Sequence, residues 1–348
     1  MEGGMKIILA SALVVMLVIV SLLILSGLLS EPTRGRQLVQ ALGIPRPAVI
    51  AHRGASYLAP EETRPAFLMA RELGADYLEF DIQRTRDGIL IVLHDDDLSR
   101  TTNVTDVFPG REKDTLDTFT LAELQQLDAG SWFNREFQDR ARSSFKGLGI
   151  LRVEEIIEIA ESGATHPGIY IETKSAHRFP GIERQLVDLL TARGWISRIQ
   201  PGSRARVIFQ SFEPESLERF KGLAPQIPRL LLIDEVMVSK AGWDSLVGKA
   251  AEIGAGIGTW GSRWTAGPNW SAQDVPKRYM MTWPWYTGQA HRAGLFVHTW
   301  TIDDRWEMWM VTLSGADGLF TNRAELALSV YRRSAHLDLD GLWKKIGY

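Results

Sequence analysis

A chain of 348 residues is long enough for one large α/β barrel, which takes about 250 residues, with attachments at its ends. Its 39 lysines and arginines against 42 aspartates and glutamates give a formal net charge of -3, so the overall balance does not favour nucleic acid. Cysteine is absent, which excludes disulfides and thiolate metal sites.

Residues 7–30 carry no charge and are dominated by Leu, Ile and Val. At a rise of about 1.5 Å per residue such a run can span a hydrocarbon core of roughly 30 Å. No A-x-A-like cleavage site follows it, so residues 1–30 are expected to form an uncleaved, single-pass transmembrane anchor. Lys6 before the run and Arg34 and Arg36 after it leave open which side of the membrane the rest occupies. Residues 31–47, punctuated by Pro32, Gly35, Gly43, Pro45 and Pro47, read as a linker. The folded body is expected over residues 48–330, with a basic C-terminal tail over 331–348 whose helical face is solvated.

Three short apolar runs, 48–51, 77–82 and 89–93, read as strands. Between the first two, residues 64–73 form a helical pattern, with Thr63 placed to cap it, Pro65 in its first turn and Gly74 as its stop. Strand, helix, strand is the unit of a parallel sheet. Alternation along a strand puts Glu79 and Asp81 on one face. His52 follows the first strand and His94 the third. In a parallel barrel these groups share the mouth at the strands' C-terminal ends. Residues 168–174 repeat the pattern, with Glu172 and Lys174 on one face. Three converging carboxylates need a compensating charge, and oxygen ligands select a hard divalent cation. Arg53, Lys174 and such a cation make a seat for an anion such as a phosphate ester. Two histidines, with an ordinary pKa of about 6.5, can act as acid and base.

Residues 96–151 are too long for an ordinary loop after a strand. They contain a helical piece at 121–127, introduced by Thr120 and carrying Glu123, and then Gly130-Ser131-Trp132-Phe133. This insertion is expected to wall the substrate pocket, with Trp132 either facing it or buried beneath it. Amphipathic helices follow at 153–162 and 180–193. Strand candidates at 206–210, 229–233, 256–259, 296–300 and 317–320 bring the total to nine for eight places. Residues 256–259 look like the irregular one because of their glycines. Eight of the twelve tryptophans fall between residues 260 and 309. Trp260, Trp264, Trp270, Trp283 and Trp285 lie near the mouth, either as packing or as an aromatic lip toward lipid. His166, His177, His291, His298 and His336 lack such a converging charged cluster; His298 shares a face with Trp300 and reads as a core residue or one that supports the site.

The motifs HRG at 52–54, PE-x-T at 60–63, E-x-D at 79–81, T-x-DG at 85–88, HD at 94–95 with Leu98 and Arg100-Thr101-Thr102, and E-x-K at 172–174 together resemble the glycerophosphodiester phosphodiesterase family. The similarity covers roughly residues 52–323. It implies a (β/α)8 TIM barrel with an insertion after the third strand, here preceded by the transmembrane helix. It implies one divalent cation, Mg²⁺ or Ca²⁺, on Glu79, Asp81 and Glu172, with His52 and His94 as the acid–base pair. Arg53 and Lys174 are then phosphate ligands, and the matches Gln210-Ser211-Phe212 and Trp300-Thr301 suggest Gln210 and Trp300 as substrate contacts. The implied activity is metal-dependent hydrolysis of glycerophosphodiesters to an alcohol and glycerol 3-phosphate. The alternatives are a membrane-associated lysophospholipase D acting on lysophospholipids and a non-catalytic phospho-ligand-binding barrel. The resemblance also leans toward an extracytoplasmic barrel. Two positions depart from the family pattern: Glu62 stands where Asn is usual, and Asn322 where Asp is usual.

Overall fold

The computed structural model describes residues 33–196, 202–261, 282–333 and 338–348. Nine strands run in chain order: β1 (Ala48–Ala51), β2 (Tyr77–Arg84), β3 (Leu90–Val92), β4 (Gly168–Thr173), β5 (Val207–Ser211), β6 (Arg229–Ile233), β7 (Ala255–Trp260), β8 (Val297–Trp300) and β9 (Gly318–Thr321). The main helices are α1 (Arg34–Ala41), α2 (Arg64–Leu73), α3 (Val153–Glu161), α4 (Ile182–Ala192), α5 (Pro214–Leu223), α6 (Glu235–Ala241), α7 (Trp243–Ile253), α8 (Pro284–Arg292), α9 (Arg305–Leu313), α10 (Ala324–Val330) and α11 (Leu339–Ile346). Every strand but β3 pairs in parallel, and β1 closes the ring by pairing with both β2 and β9. The result is an eight-stranded parallel barrel.

The ninth strand corrects the sequence reading. The extra strand is β3, which pairs antiparallel with β2 in the register Ile82↔Val92. Only residues 85–89 separate the two, and a parallel crossover needs a dozen or more. Thr85 and Gly88, the latter at φ +87°, make this turn, with Gly88 N–H donating to Thr85 O. The insertion therefore belongs to the crossover from β2 to β4, after a hairpin rather than after a third barrel strand. Residues 256–259 lie within β7, a full barrel strand paired with β6 and β8. Its glycines make room: a Cβ on Gly256 would lie 2.5 Å from the Phe296 ring, and one on Gly258 2.5 Å from Leu230.

The barrel interior is filled by Ile50, Tyr77, Tyr170, Ile208, Leu230, Leu232, Phe296 and Phe320. His298 sits in this core, its Nδ1 3.1 Å from the Tyr170 hydroxyl. Residues 34–41, expected as linker, form α1, whose Val39 joins that interior core together with Ile44. The helices clothe the outside of the ring, as where Phe220 of α5 stacks on Phe209 of β5 at 4.0 Å. The insertion has its own core, including Leu98, Val104, Leu116, Phe119 and Leu124. Trp132 is buried not there but in the main core shared with the barrel's helices, donating Nε1–H to Ala129 O at 3.0 Å and meeting Phe133 edge-on. The tail is not simply solvated: Trp343 of α11 is buried, 5.6 Å from Phe145 and beneath the Arg142 guanidinium.

The transmembrane anchor expected from the sequence requires correction. Among the described residues no helix is long and apolar enough to cross a membrane. Residues 1–30, on which that reading and its single-pass placement rested, lie outside the described part, as do Trp264 and Trp270.

Candidate active site

Parallel pairing brings the carboxylates together. Register pairs Asp81 of β2 with Glu172 of β4, while Glu79 lies two residues back on the same face of β2. One oxygen from each of Glu79, Asp81 and Glu172 lies within 4.8 Å of the others, and all three residues are buried. Cations crowd around them. Lys174 Nζ is 2.6 Å from Glu172 Oε1 and 3.4 Å from Asp81 Oδ1, and Arg53 Nε is 3.5 Å from Asp81 Oδ2. Arg53 sits in the left-handed region, φ +57°, in the turn after β1. Its N–H donates to Glu79 Oε2 at 2.8 Å, and Gln210 Nε2 donates to Glu79 Oε1 at 2.8 Å. The next residue must be glycine, because a Cβ on Gly54 would lie 2.7 Å from the Ala66 backbone.

The charges are unequally settled. Burial opposes ionisation of Asp81, but Lys174, His94 and Arg53 outweigh it and hold that carboxyl well below its ordinary range. Burial, then Asp81 and Glu172, push Glu79 well above it. Burial also raises Glu172 to about 7, with Lys174 pulling against it and Asp81 adding to it. Glu62 is buried too, accepts the Asp81 N–H at 3.0 Å, and is raised by burial and by Asp81. Both Asp81 oxygens are buried and receive no hydrogen bond. Three oxygen-only donors, two of them raised by burial and then by their carboxylate neighbours, fit a hard divalent cation.

The two histidines are held differently. His52 Nδ1 lies 2.8 Å from Asn322 Oδ1, which also accepts the Ser56 hydroxyl. The orientation of Asn322 is set by Asp303, which accepts its Nδ2 at 2.6 Å and its backbone N–H at 2.8 Å. Asn322 Oδ1 is thus an acceptor, His52 carries its proton on Nδ1, and Nε2 is left as a base. Burial and then Arg53 lower the His52 pKa to about 3. His94 Nδ1 lies 2.6 Å from Asp95 Oδ1. Asp95 is gripped by Arg100, at 2.5 and 3.0 Å, and Arg100 in turn by Glu61, at 2.7 and 2.8 Å. Glu61 closes the network on Arg53 at 2.9 Å. Gln83, one step beyond Asp81 on its own face, donates to Leu93 O and Asp95 O and so pins the His94 segment.

At the end of β8 the Trp300 ring lies edge-on to Phe212 at 5.5 Å and stacks on Trp260 at 6.2 Å, while Lys174 Nζ stands 5.8 Å from the Phe212 ring. The aromatic wall thus adjoins the cationic seat. Ser56, Glu61, Asp95, Arg100 and Asp303 received no role from sequence reasoning. Glu61, Asp95 and Arg100 lay inside the motifs at 60–63, 94–95 and 100–102 and were recoverable. Asp303 left no local signal.

The sequence over residues 52–326 matches the model of the glycerophosphoryl diester phosphodiesterase family. A glycerophosphodiester phosphodiesterase of Bacillus subtilis (strain 168) is 33% identical over 313 residues, covering 88% of this chain and 96% of the relative. Another, from Caldanaerobacter subterraneus subsp. tengcongensis, is 30% identical over 286 residues, 82% of this chain and 98% of its own. Among solved structures, a phosphodiesterase from Oleispira antarctica in complex with the product sn-glycerol-3-phosphate superposes with a TM-score of 0.61 at 26% identity, covering 82% of this chain and 97% of that one.

Proposed function

The chain belongs to the glycerophosphoryl diester phosphodiesterase family, phosphoric diester hydrolases acting on glycerophosphodiesters, and we propose that His52 is its general base and His94 its general acid. The observation that carries this assignment is the Asp303–Asn322–His52 chain, which leaves Nε2 of a neutral imidazole free to take a proton. That proton comes from water or from the neighbouring glycerol hydroxyl attacking through a cyclic phosphate. His94, with Asp95 at its Nδ1, presents a protonated Nε2 to the oxygen of the leaving alcohol. Arg53 and Lys174 hold the phosphate and offset its growing charge, Gln210 keeps Glu79 turned inward, and Trp300 lines the substrate.

Glu79, Asp81 and Glu172 would hold the cation, Mg²⁺ or Ca²⁺, which when bound supplies Lewis-acid stabilisation of a non-bridging phosphoryl oxygen. The products are sn-glycerol 3-phosphate and the free alcohol, in keeping with the product held by the Oleispira antarctica enzyme. A second reading takes lysophospholipids as substrates in a lysophospholipase D reaction. The apolar wall of Phe212 and Trp300 beside Lys174 favours it.

The enzyme stripped of metal and resupplied with Mg²⁺ or Ca²⁺ should release glycerol 3-phosphate from glycerophosphocholine. Choline release from lysophosphatidylcholine alone would establish the second reading instead. The order of acid and base is tested with a p-nitrophenyl diester, whose leaving group needs no proton. That substrate should restore turnover to His94→Ala but not to His52→Ala. Rescue of the opposite variant would reverse the assignment, and full activity of both would remove the pair.

A further inference from the structure

Helix α9 is apolar on both sides. Its inner positions Met308 and Val311 are buried, as is Glu307, while Trp306, Trp309, Met310 and Leu313 stand 69, 44, 38 and 60% exposed. These four recur at i, i+3, i+4 and i+7, so they form one outward stripe where a barrel helix ordinarily carries polar residues. At the start of α8, Trp283 and Trp285 are 43 and 52% exposed, with ring centroids 4.4 Å apart. Thr287 donates its hydroxyl to Ser314 O, which draws the first turn of α8 against the end of α9. Among the described residues, six of the seven exposed large hydrophobic side chains lie on these two neighbouring segments, the seventh being Val236. Single exposed apolar residues are ordinary, but a clustered patch marks an interaction surface.

Charge narrows the partner. Residues 284–292 and 305–313 contain one acidic residue, Glu307, and it is buried. Arg292 and Arg305 are the exposed charges of these helices. The carboxylate of Asp304, just before α9, is engaged by the helix N-terminus, accepting the Trp306 and Glu307 N–H groups at 2.8 and 3.3 Å. Tryptophan buries a broad ring while keeping an N–H for a polar neighbour, which suits the boundary between acyl chains and headgroups. Nearby arginines complement lipid phosphates. Arg305 opens α9 five residues after the end of β8 at Trp300, and Trp306 follows it, so the stripe starts on the barrel's catalytic side.

We propose that the outer face of α8 and α9 is a lipid-contact surface, through which the barrel itself rests on an anionic lipid–water interface. It uses none of residues 1–32. A fragment of residues 33–348 tests it in isolation. That fragment holds the closed barrel with α1 and the whole of the stretch that matches the family model, residues 52–326.

The fragment is sedimented with phosphatidylcholine vesicles with and without phosphatidylglycerol. It should bind the anionic vesicles, and Trp306→Ala/Trp309→Ala/Leu313→Ala should weaken that binding at least about tenfold. The same variant should hydrolyse glycerophosphocholine in solution at the parental rate. Arg292→Glu/Arg305→Glu should remove the preference for phosphatidylglycerol and spare the weaker neutral binding. Absence of vesicle binding, or equal binding by the triple variant, overturns the proposal. So does a concentration-dependent dimer, abolished by the same substitutions, in a fragment that ignores vesicles, because the occupant is then a second copy. Hydrogen exchange in α9 that slows only when residues 1–32 are present would make the chain's own N-terminal segment the occupant and would equally overturn it.

Discussion

Replacing Glu172 by glutamine should make the metal-free protein more stable and unable to use its cation. In the absence of metal, burial and Asp81 raise Glu172 from its ordinary 4.5 to about 7, even with Lys174 at 2.6 Å. At about 1.36 kcal/mol per tenfold, ionising this side chain inside the fold costs roughly 3 kcal/mol more than ionising it in the unfolded chain. The folded pKa lies above the unfolded one, so the native state binds more protons between the two. Stability from this group is present below 4.5 and is lost as pH rises through about 7. Glutamine mimics the protonated carboxyl and does not titrate. Urea denaturation in EDTA at about pH 8 should therefore show Glu172→Gln more stable than the parent by roughly 3 kcal/mol, and at about pH 5 the difference should largely close. Adding Mg²⁺ or Ca²⁺ should then stabilise the parent and leave the variant almost unmoved. Equal stabilities in EDTA at the higher pH, or a gap that ignores pH, would refute the raised ionisation of buried Glu172.

Three further outcomes follow from the same geometry. His52 must be unprotonated to act as base, and burial with Arg53 lowers it to about 3. With saturating cation, kcat/KM should therefore show no acid limb from this histidine near the ordinary 6.5; a limb there that vanishes in His52→Ala would contradict the lowered value. Asn322→Leu removes the acceptor at His52 Nδ1 and should lower kcat about tenfold while leaving KM nearly unchanged, the loss expected for one neutral orienting hydrogen bond. An equal loss in KM would mean that Asn322 binds substrate instead. Asp76, buried below the barrel, accepts Arg333 at 2.6 and 2.7 Å and the Val49 N–H at 2.8 Å. Asp76→Ala strands those donors and should cost about 3 kcal/mol in urea unfolding with activity per folded molecule retained.

What could be read in advance was what lies within one strand or one turn. The E-x-D spacing at Glu79 and Asp81 fixes a shared face, and the E-x-K spacing at Glu172 and Lys174 fixes another. Parallel register then needs only to set Asp81 opposite Glu172, as it does. The orienting chain behind His52 was not legible, because Asn322 lies 270 residues away and Asp303 reaches it only when β8 and β9 are neighbours. A glycine in a strand is ambiguous for a similar reason. Gly256 breaks nothing because Phe296 occupies the space its side chain would need, and Phe296 lies 40 residues on, just before β8.

The misread third strand has a different origin, since its signal was local and was passed over. Residues 85–89 are too few to cross from one parallel strand to the next, so Ile89-Leu90-Ile91 had to fold back on β2. That reversal matters for the chemistry. The proposed base, His52, rides on the barrel rim, fixed by a backbone bond to β9 through Thr321 O. The proposed acid, His94, rides on a hairpin laid against β2 and pinned by Gln83. The two histidines thus stand on separate supports that meet at β2, the strand that also carries Glu79 and Asp81, and again through the Glu61–Arg100 network. Arg100 and Glu61 tie that hairpin back to Arg53, so the group proposed to protonate the leaving alcohol is held in register with one proposed to bind the phosphate.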